Sequence, residues 1–376
     1  MNGVRMVAAC LTAFLLAGCG ADGGEKEQTQ EEDLAEFEAM REELEGRRDV
    51  FIETPAQDFL ATGNTLYWVE VNGANPRLRS FDDSKKQRTD YTFKPYLTGV
   101  SSPNPVDNIN FAASSTMVAS MNELDGANTY AAGSPEMPRG KLVLPAPAFG
   151  QKWWAYSVTG DDLYVTVINN DSGKFVLQKW TPGQANPTDV LVLDDLIAPN
   201  VMGEFTNFAV NGTTLMFSEG GRLWLAELND AKAKWVQNDK RVGGADFYSG
   251  GAVYSQDREF FRYDKATDTR ENITGKIKAS YTMNKTFAEA HHPGHDMTWC
   301  KFKDKIVYEG NFGLFAYDIE NETTTPLLLD ARDNSVVYKY PVAVGTGTLF
   351  VKGLESQSGA TGADGPMFSL AAANLL

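Results

Sequence analysis

Histidine and cysteine are scarce in this chain, with three of each among 376 residues. All three histidines lie within residues 291–295, so a Ser-His-Asp triad would have to take its base from that one segment. The sequence also lacks a nucleophile elbow, a phosphate-binding glycine loop, a dinucleotide fingerprint and an HExxH pair. The usual signatures of hydrolases, nucleotide-binding enzymes and zinc peptidases are therefore missing.

Basic residues are few relative to acidic ones, 34 against 50, which gives a formal net charge of −16. A strongly acidic protein is repelled by phosphate backbones and by anionic lipid headgroups. The charge argues against nucleic acid as a partner and against direct docking on an anionic membrane. It suits a partner protein with a basic surface, or a cationic ligand.

Long apolar runs are missing after residue 19, where no segment approaches the roughly 20 residues of a membrane-spanning helix. One short apolar run, residues 7–16, follows Arg5 near the N-terminus. It leads into Leu16-Ala17-Gly18-Cys19, which has the small residues of a cleavage site. This order is typical of a secretory signal peptide.

The same tetrapeptide resembles the lipobox of bacterial lipoproteins, in which the chain is cut before the cysteine. The resemblance implies that residues 1–18 are a signal peptide and that Cys19 carries the lipid, which would include a palmitate chain. The expected location is the bacterial cell envelope, at the outer membrane or cell surface rather than the inner membrane. Membrane contact would be through the lipid alone. The alternative is an ordinary secretory signal with a chance cysteine. With Cys10 removed and Cys19 lipidated, Cys300 has no partner for an intrachain disulfide.

Residues 19–49 are predicted to be an acidic tether, part of it helical. The first part is rich in glycine and glutamate, which is typical of disorder. Gly46 then marks a helix end after four apolar residues at helical spacing: Leu34, Phe37, Met40 and Leu44. We interpret this stripe as a nascent helix in a solvated linker, with docking on the domain or on a partner as the alternative. Deleting residues 20–46 is accordingly expected to leave the domain folded.

From residue 50 to 376 the sequence alternates aromatic or β-branched residues with polar ones, and Gly, Asn and Asp punctuate it. This pattern predicts many short antiparallel strands. A degenerate repeat is clearest at the second strand of each unit. Its seven anchor residues are Leu66, Met117, Leu163, Leu215, Val253, Ile306 and Leu349.

The anchors follow one another at intervals of 51, 46, 52, 38, 53 and 43 residues. A four-stranded propeller blade takes roughly 40–50 residues. We therefore predict an all-β fold, a seven-bladed β-propeller of four-stranded antiparallel blades. Copy two is the weakest, because residues 121–147 look like a long loop with a strand near residues 142–144. The last copy lacks an outer strand, and residues 50–53 are predicted to supply it as a latch that closes the ring.

Two segments of the first copy carry a family resemblance. Leu66-Tyr67-Trp68-Val69, followed by residues 77–82, resembles the YWTD-type propellers and the propeller of the Tol translocation system. The resemblance covers the whole domain as a pattern. It supports the fold, whereas function has to be argued from a site.

The histidine segment is the first candidate site. His291, His292 and His295 lie with Glu289 and Asp296 just before the first strand of the sixth copy. Imidazoles and carboxylates are ligands for divalent metals, zinc or calcium here. A turn at residues 293–294 would separate the imidazoles, so a solvated loop and a protein contact are the alternatives.

A second candidate site comes from aligning the copies. An acidic residue tends to precede the aromatic residue of each first strand, and equivalent positions would surround one mouth of the central channel. The five acids are Asp58, Asp107, Glu204, Asp246 and Asp296. Together they would attract a cation or a basic peptide. The alternative is that loops of an acidic protein are simply acidic.

These features favour a lipid-anchored binding or scaffold module of the envelope. Its expected partner is an envelope or extracellular protein with a basic surface, and no cofactor is certain. An enzyme, a hydrolase or lyase acting on a polysaccharide, is the less favoured alternative, as is a metal-binding accessory protein.

Overall fold

The domain is an all-β propeller built from four-stranded antiparallel sheets. The computed structural model describes residues 29–52, 56–72, 75–91, 111–122, 126–132, 134–142, 155–168, 171–196, 205–219, 221–228, 233–237, 241–294, 298–331, 336–344, 348–355 and 367–371. The predicted signal peptide, Cys19 and the first part of the predicted tether lie outside these residues.

Each sheet is numbered by its place in the chain. Sheet 1 contains β2 Ala56–Thr62, β3 Thr65–Asn72, β4 Asn75–Asp82 and β5 Gln87–Asp90. Sheet 2 contains β6 Phe111–Ala113, β7 Met117–Asn122, β8 Gly126–Ala131 and β9 Ser134–Leu142. Sheet 3 contains β10 Tyr156–Thr159, β11 Asp162–Ile168, β12 Phe175–Trp180 and β13 Thr188–Val192, with the short 3₁₀ turn Leu193–Asp195 after it.

The second half of the chain repeats this pattern. Sheet 4 contains β14 Phe205–Asn211, β15 Thr214–Glu219, β16 Arg222–Glu227 and β17 Ala233–Gln237. Sheet 5 contains β18 Val242–Tyr248, β19 Gly251–Gln256, β20 Glu259–Asp264 and β21 Thr269–Asn272. Sheet 6 contains β22 Trp299–Phe302, β23 Lys305–Gly310, β24 Gly313–Asp318 and β25 Thr323–Leu329. Sheet 7 contains β26 Val336–Val344, β27 Thr348–Glu355, β28 Met367–Ala371 and β1 Arg48–Ile52.

Two-residue turns join the first and second strands of five sheets, as the repeat pattern predicts. One residue in each turn has a positive φ, a conformation that glycine adopts without steric cost. These residues are Gly63, Gly160, Gly212, Gly250 and Lys303. We call this end of the sheets the turn face. The opposite end carries the hairpins between second and third strands and the connections between sheets, and we call it the connection face.

The number of blades is a finer point than the fold. Hydrogen bonding groups the described strands into seven four-stranded sheets. The propeller ring, in contrast, is assigned six blades. Sheet 7 combines both ends of the described chain, because β1 pairs antiparallel with β28, with Phe51 opposite Phe368.

The hydrophobic core lies between neighbouring sheets. Alternate residues of the second strands face opposite neighbours, as the period of two requires. In β15, for example, Leu215 and Phe217 pack toward sheet 3 while Met216 packs toward sheet 5. Apolar side chains at equivalent positions of the second strands are therefore buried between neighbouring sheets.

Helix α1, Gln30–Glu45, is part of this core, and the interpretation of the apolar stripe as a solvated linker is wrong. Phe37 and Leu44 are 0% and 3% exposed, and Leu34 and Met40 pack beside them. Thr29 and Glu32 cap the helix reciprocally, and it ends at Gly46 as the sequence predicts. The helix lies against β25 of sheet 6. The second described helix is short, α2 Thr274–Ala279, and neither has the length and apolar composition of a membrane crossing.

Candidate functional site

Innermost strands of several sheets share a polar contact that the sequence did not reveal. A side chain of the second strand bonds to a residue in the first strand, or directly before it, that lies eleven positions earlier in the chain. The pairs are Thr166 with Ala155, Ser218 with Asn207, Ser255 with Gly244, and Glu309 with Thr298. Two of these sites lie at irregularities in strands β14 and β18. The contact satisfies polar groups where the ladder is interrupted. The sequence does carry a signal for these contacts, because small or polar residues stand at both positions of each eleven-residue pair.

Sheets 5 and 6 bring an indole to the inner strands. The Trp299 Nε1 donates to the Ser255 hydroxyl at 2.9 Å, and the same hydroxyl accepts from the Gly244 amide at 3.0 Å. A Cβ at Gly244 would lie 3.0 Å from the Trp299 Nε1. Glycine at this position is thus needed for the indole to lie against the neighbouring strand. The Trp299 side chain is half-buried.

A charged pair lies on the same two strands. Asp246 of β18 is half-buried, and burial raises the pKa of its carboxyl. The positive charge of Lys301, on β22, opposes this rise in the Asp246 pKa. The inner strands of sheets 5 and 6 therefore present a carboxylate, an ammonium group and an indole. Asn207 stands on the next inner strand, with φ 51, and its Oδ1 accepts from the Ala245 amide at 3.1 Å.

The five predicted acids are not all described. Asp107, Glu204 and Asp296 lie outside the described residues, and of Asp58 only the backbone is described. The strand registers give the positions of the other two acids along their strands. Asp58 precedes Phe59, which lies opposite Trp68 in sheet 1, whereas Asp246 lies opposite Val253 in sheet 5. Measured from the turn, Asp246 is two positions nearer the turn face than Asp58. Binding by all five acids stays a prediction.

The histidine segment folds against the domain. His291 is 1% exposed, and its Nε2 lies 3.1 Å from the Lys278 carbonyl oxygen. His292 is half-buried with its ring centroid 4.9 Å from that of His291, and His295 lies outside the described residues. Among the described residues no three His, Cys, Asp or Glu side chains are grouped closely enough to hold a metal. Joint metal binding by the three histidines stays a prediction.

His291 predicts a loss of stability in mild acid. Burial lowers the pKa of His291 below its usual value of 6.5. Below pH 6.5 the unfolded chain takes up a proton that the folded chain does not, so the free energy of unfolding falls as pH falls. The slope reaches about 1.4 kcal/mol per pH unit for one proton. Urea melts between pH 7.5 and pH 5 should show a smaller acid loss for His291→Gln, whose amide can still reach the Lys278 carbonyl. An unchanged slope would contradict a neutral, buried His291.

Comparison with known proteins gives no family: no family model matches, and no curated protein matches. The resemblance to YWTD-type and Tol-system propellers is therefore still an expectation.

Similar solved structures exist. One is a puromycin-hydrolyzing peptidase of Mycobacterium tuberculosis, with TM-score 0.51 and 10% identity over 83% of this chain and 54% of that one. The extracellular domain of BT4673 from B. thetaiotaomicron has TM-score 0.47 and 11% identity over 86% of this chain and 40% of that one. PorZ, a surface component of the type-IX secretion system of Porphyromonas gingivalis, has TM-score 0.47 and 11% identity over 84% and 39%. The chain spans about half of these structures or less, and the likeness to the peptidase concerns the fold alone.

Proposed function

We propose that this chain is an exported, lipid-anchored propeller of the bacterial cell envelope that binds a protein or another ligand at its inner strands. Export and anchoring are supported by Leu16-Ala17-Gly18-Cys19 and the apolar run before it. Binding is supported above all by Asp246, a half-buried carboxylate on an innermost strand. A carboxylate in such a place gains more from a cationic partner than one in bulk water, because the local dielectric is lower.

Of the groups around Asp246, the indole suits recognition of a basic partner, whereas the Lys301 ammonium opposes it. Trp299 offers a half-buried indole, a side chain that binds cations over its ring face and contributes strongly to protein interfaces. The net charge of −16 would steer a basic partner toward the domain. A basic protein segment is therefore the favoured ligand.

We also infer that the ring is closed by all seven sheets, with β1 as the latch. The innermost strands contact one another in sequence, from β2 through β6, β10, β14, β18 and β22 to β26, and β26 contacts β2 again. Across the last junction, Phe81 and Phe350 have ring centroids 6.3 Å apart. The Thr348 hydroxyl donates to Asp83 Oδ2 at 2.6 Å. A six-membered ring would have to omit one sheet from this circuit.

Substituting Asp246 should weaken partner capture. Purified wild-type protein and the Asp246→Asn variant would be used to capture envelope proteins from crosslinked cells, with capture quantified by mass spectrometry. Loss of one charge-assisted contact of about 1.5 kcal/mol predicts roughly tenfold less bound partner. Asp304→Asn, an exposed change on the turn face, is the matched control. Equal capture by all three proteins would move the binding site away from the inner strands.

Cys19→Ser should produce an exported chain that keeps its signal peptide and carries no lipid. The reason is that the lipobox cysteine is both the residue after the cut and the acylated residue. Detergent phase partitioning and mass spectrometry of the N-terminus measure both properties. A wild-type mature chain that begins elsewhere and has no acyl group would contradict the lipoprotein assignment.

A further inference from the structure

Helix α1 joins the tether to the propeller in a fixed direction. Its C-terminal end is at the turn face, because Arg48 follows two residues later and pairs with Leu370. Leu370 in turn lies opposite Leu349, the second residue of β27, which is next to the turn between β26 and β27.

The N-terminal half of α1 is at the connection face. Phe37 stacks on Phe287 with ring centroids 4.2 Å apart and meets Phe312 edge-on at 6.4 Å. Phe312 belongs to the hairpin between β23 and β24, on the connection face. The helix therefore runs from the connection face, where the tether enters, to the turn face.

Polar contacts hold this half of the helix in place. Asp33 is 2% exposed, and its Oδ2 accepts from the Thr286 amide at 3.0 Å and from the Thr286 hydroxyl at 2.6 Å. The Asn284 side-chain amide donates to the Asp33 carbonyl at 3.1 Å and to Glu36 Oε2 at 3.0 Å. With Phe37 buried one turn later, the start of the helix cannot swing away without exposing core residues.

The tether before the helix is short. From Cys19 to Thr29 the chain covers ten residues, a maximum of ~35 Å when fully extended. A flexible glycine-rich chain of that length averages roughly 18 Å between its ends. The second strands of the sheets, which run from one face to the other, are six to eight residues long, ~20–27 Å. A lipid at Cys19 can thus reach the connection face easily and the turn face only when nearly extended.

We propose that the anchored propeller is held with its connection face toward the membrane, so that its turn face, the end nearer Asp246, points away from the membrane. This rests on the lipid anchor of the proposed function. Exposed acids on the first turns of α1, Glu31, Glu32 and Glu36, would face anionic headgroups. Their repulsion opposes adsorption of the face to the bilayer, so the short tether alone keeps the face near the membrane. The occupant that fits is a basic protein segment that approaches the Asp246 end of the inner strands from the side away from the bilayer.

The orientation can be measured on the purified, lipidated full chain in vesicles of phosphatidylethanolamine and phosphatidylglycerol. Asn311→Cys on the connection face and Asp304→Cys on the turn face bracket β23, so they form a matched pair within one sheet. Both are exposed, and both would be made in a Cys300→Ser background. Each is labelled with a donor dye, and the vesicles carry an acceptor dye on lipid headgroups.

Energy transfer should be about twofold or more stronger from position 311, because ~20 Å of strand separates the two labels. Inserting twenty Gly/Ser residues after Gln28 should reduce the transfer from position 311 and bring the two signals together. Equal transfer in the native tether, or stronger transfer from position 304, would overturn the orientation. Failure of the anchor itself is distinguishable, since a chain without lipid would not float with the vesicles at all.

Discussion

Replacing Phe37 with alanine is expected to lower the free energy of unfolding by about 3–5 kcal/mol, the cost of truncating a fully buried phenylalanine. Phe37 is 0% exposed and lies between Phe287 and Phe312. Its removal leaves a cavity under the connection-face hairpin that the strands of sheet 6 cannot close. Urea melts of the mature domain followed by tryptophan fluorescence measure the change.

Two further variants test whether helix α1 is part of the folded unit. Ala39→Ser changes an exposed residue of the same helix and should alter stability by less than about 0.5 kcal/mol. Deleting residues 20–46 should destabilise the domain more than Phe37→Ala does, contrary to the expectation from the sequence. A deletion that melts like wild type would show that the helix contributes nothing to the core.

Replacing β1, residues 48–52, with a Gly/Ser segment of equal length is expected to cost about 3 kcal/mol or more, roughly 1 kcal/mol of strand preference at each of three apolar positions. Those positions are Val50, Phe51 and Ile52, which pair with β28. The change leaves α1 and the chain length intact, so it tests the junction between the chain ends. Loss of β1 also uncovers an edge of β28, which should promote aggregation. Thermal melts and light scattering report the two effects.

The matched control is the same replacement in β21, residues 269–272. That strand is also the outermost of its sheet, and all four of its residues are exposed. It does not join the two ends of the chain, so its loss should cost clearly less. Equal costs for β1 and β21 would contradict a special role of β1 in closing the ring.

Local patterns predicted the regular parts of this fold. Two-residue turns such as Gly160-Asp161 and Gly212-Thr213 stand out, because alternating strands follow them with the period of the pleat. Sheet 2 was harder. Residues 121–147 were expected to be a long loop with one strand near residues 142–144, yet they contain both β8 and β9. The β8 sequence, GANTYA, has no leading aromatic residue, and its strand exists through pairing with both neighbours.

The candidate site was less predictable than the strands. Aligning copies by their aromatic residues equated Phe208 with Phe247, whereas the strand register places Phe208 level with Ala245 and Trp299. An alignment error of two residues changes the position of a side chain along its strand by about 7 Å. The burial of His291 was equally inaccessible, because it depends on contacts with Lys278 and Tyr281 that nothing in the histidine segment encodes.

In several sheets a polar side chain of the second strand bonds to a residue eleven positions earlier, in or next to the first strand. This fixed spacing makes the turn face intolerant of length changes. A one-residue shift in the pairing of β14 with β15 would move Ser218 out of reach of Asn207, and it would turn the side chains of β15 to the opposite faces of the sheet. At the connection face, no such fixed spacing joins the described strands. Sequence drift and loop grafting should therefore change the length of the connections between sheets while the turns stay constant. A designer who wants a new binding specificity from this scaffold should graft at that end and leave the two-residue turns untouched.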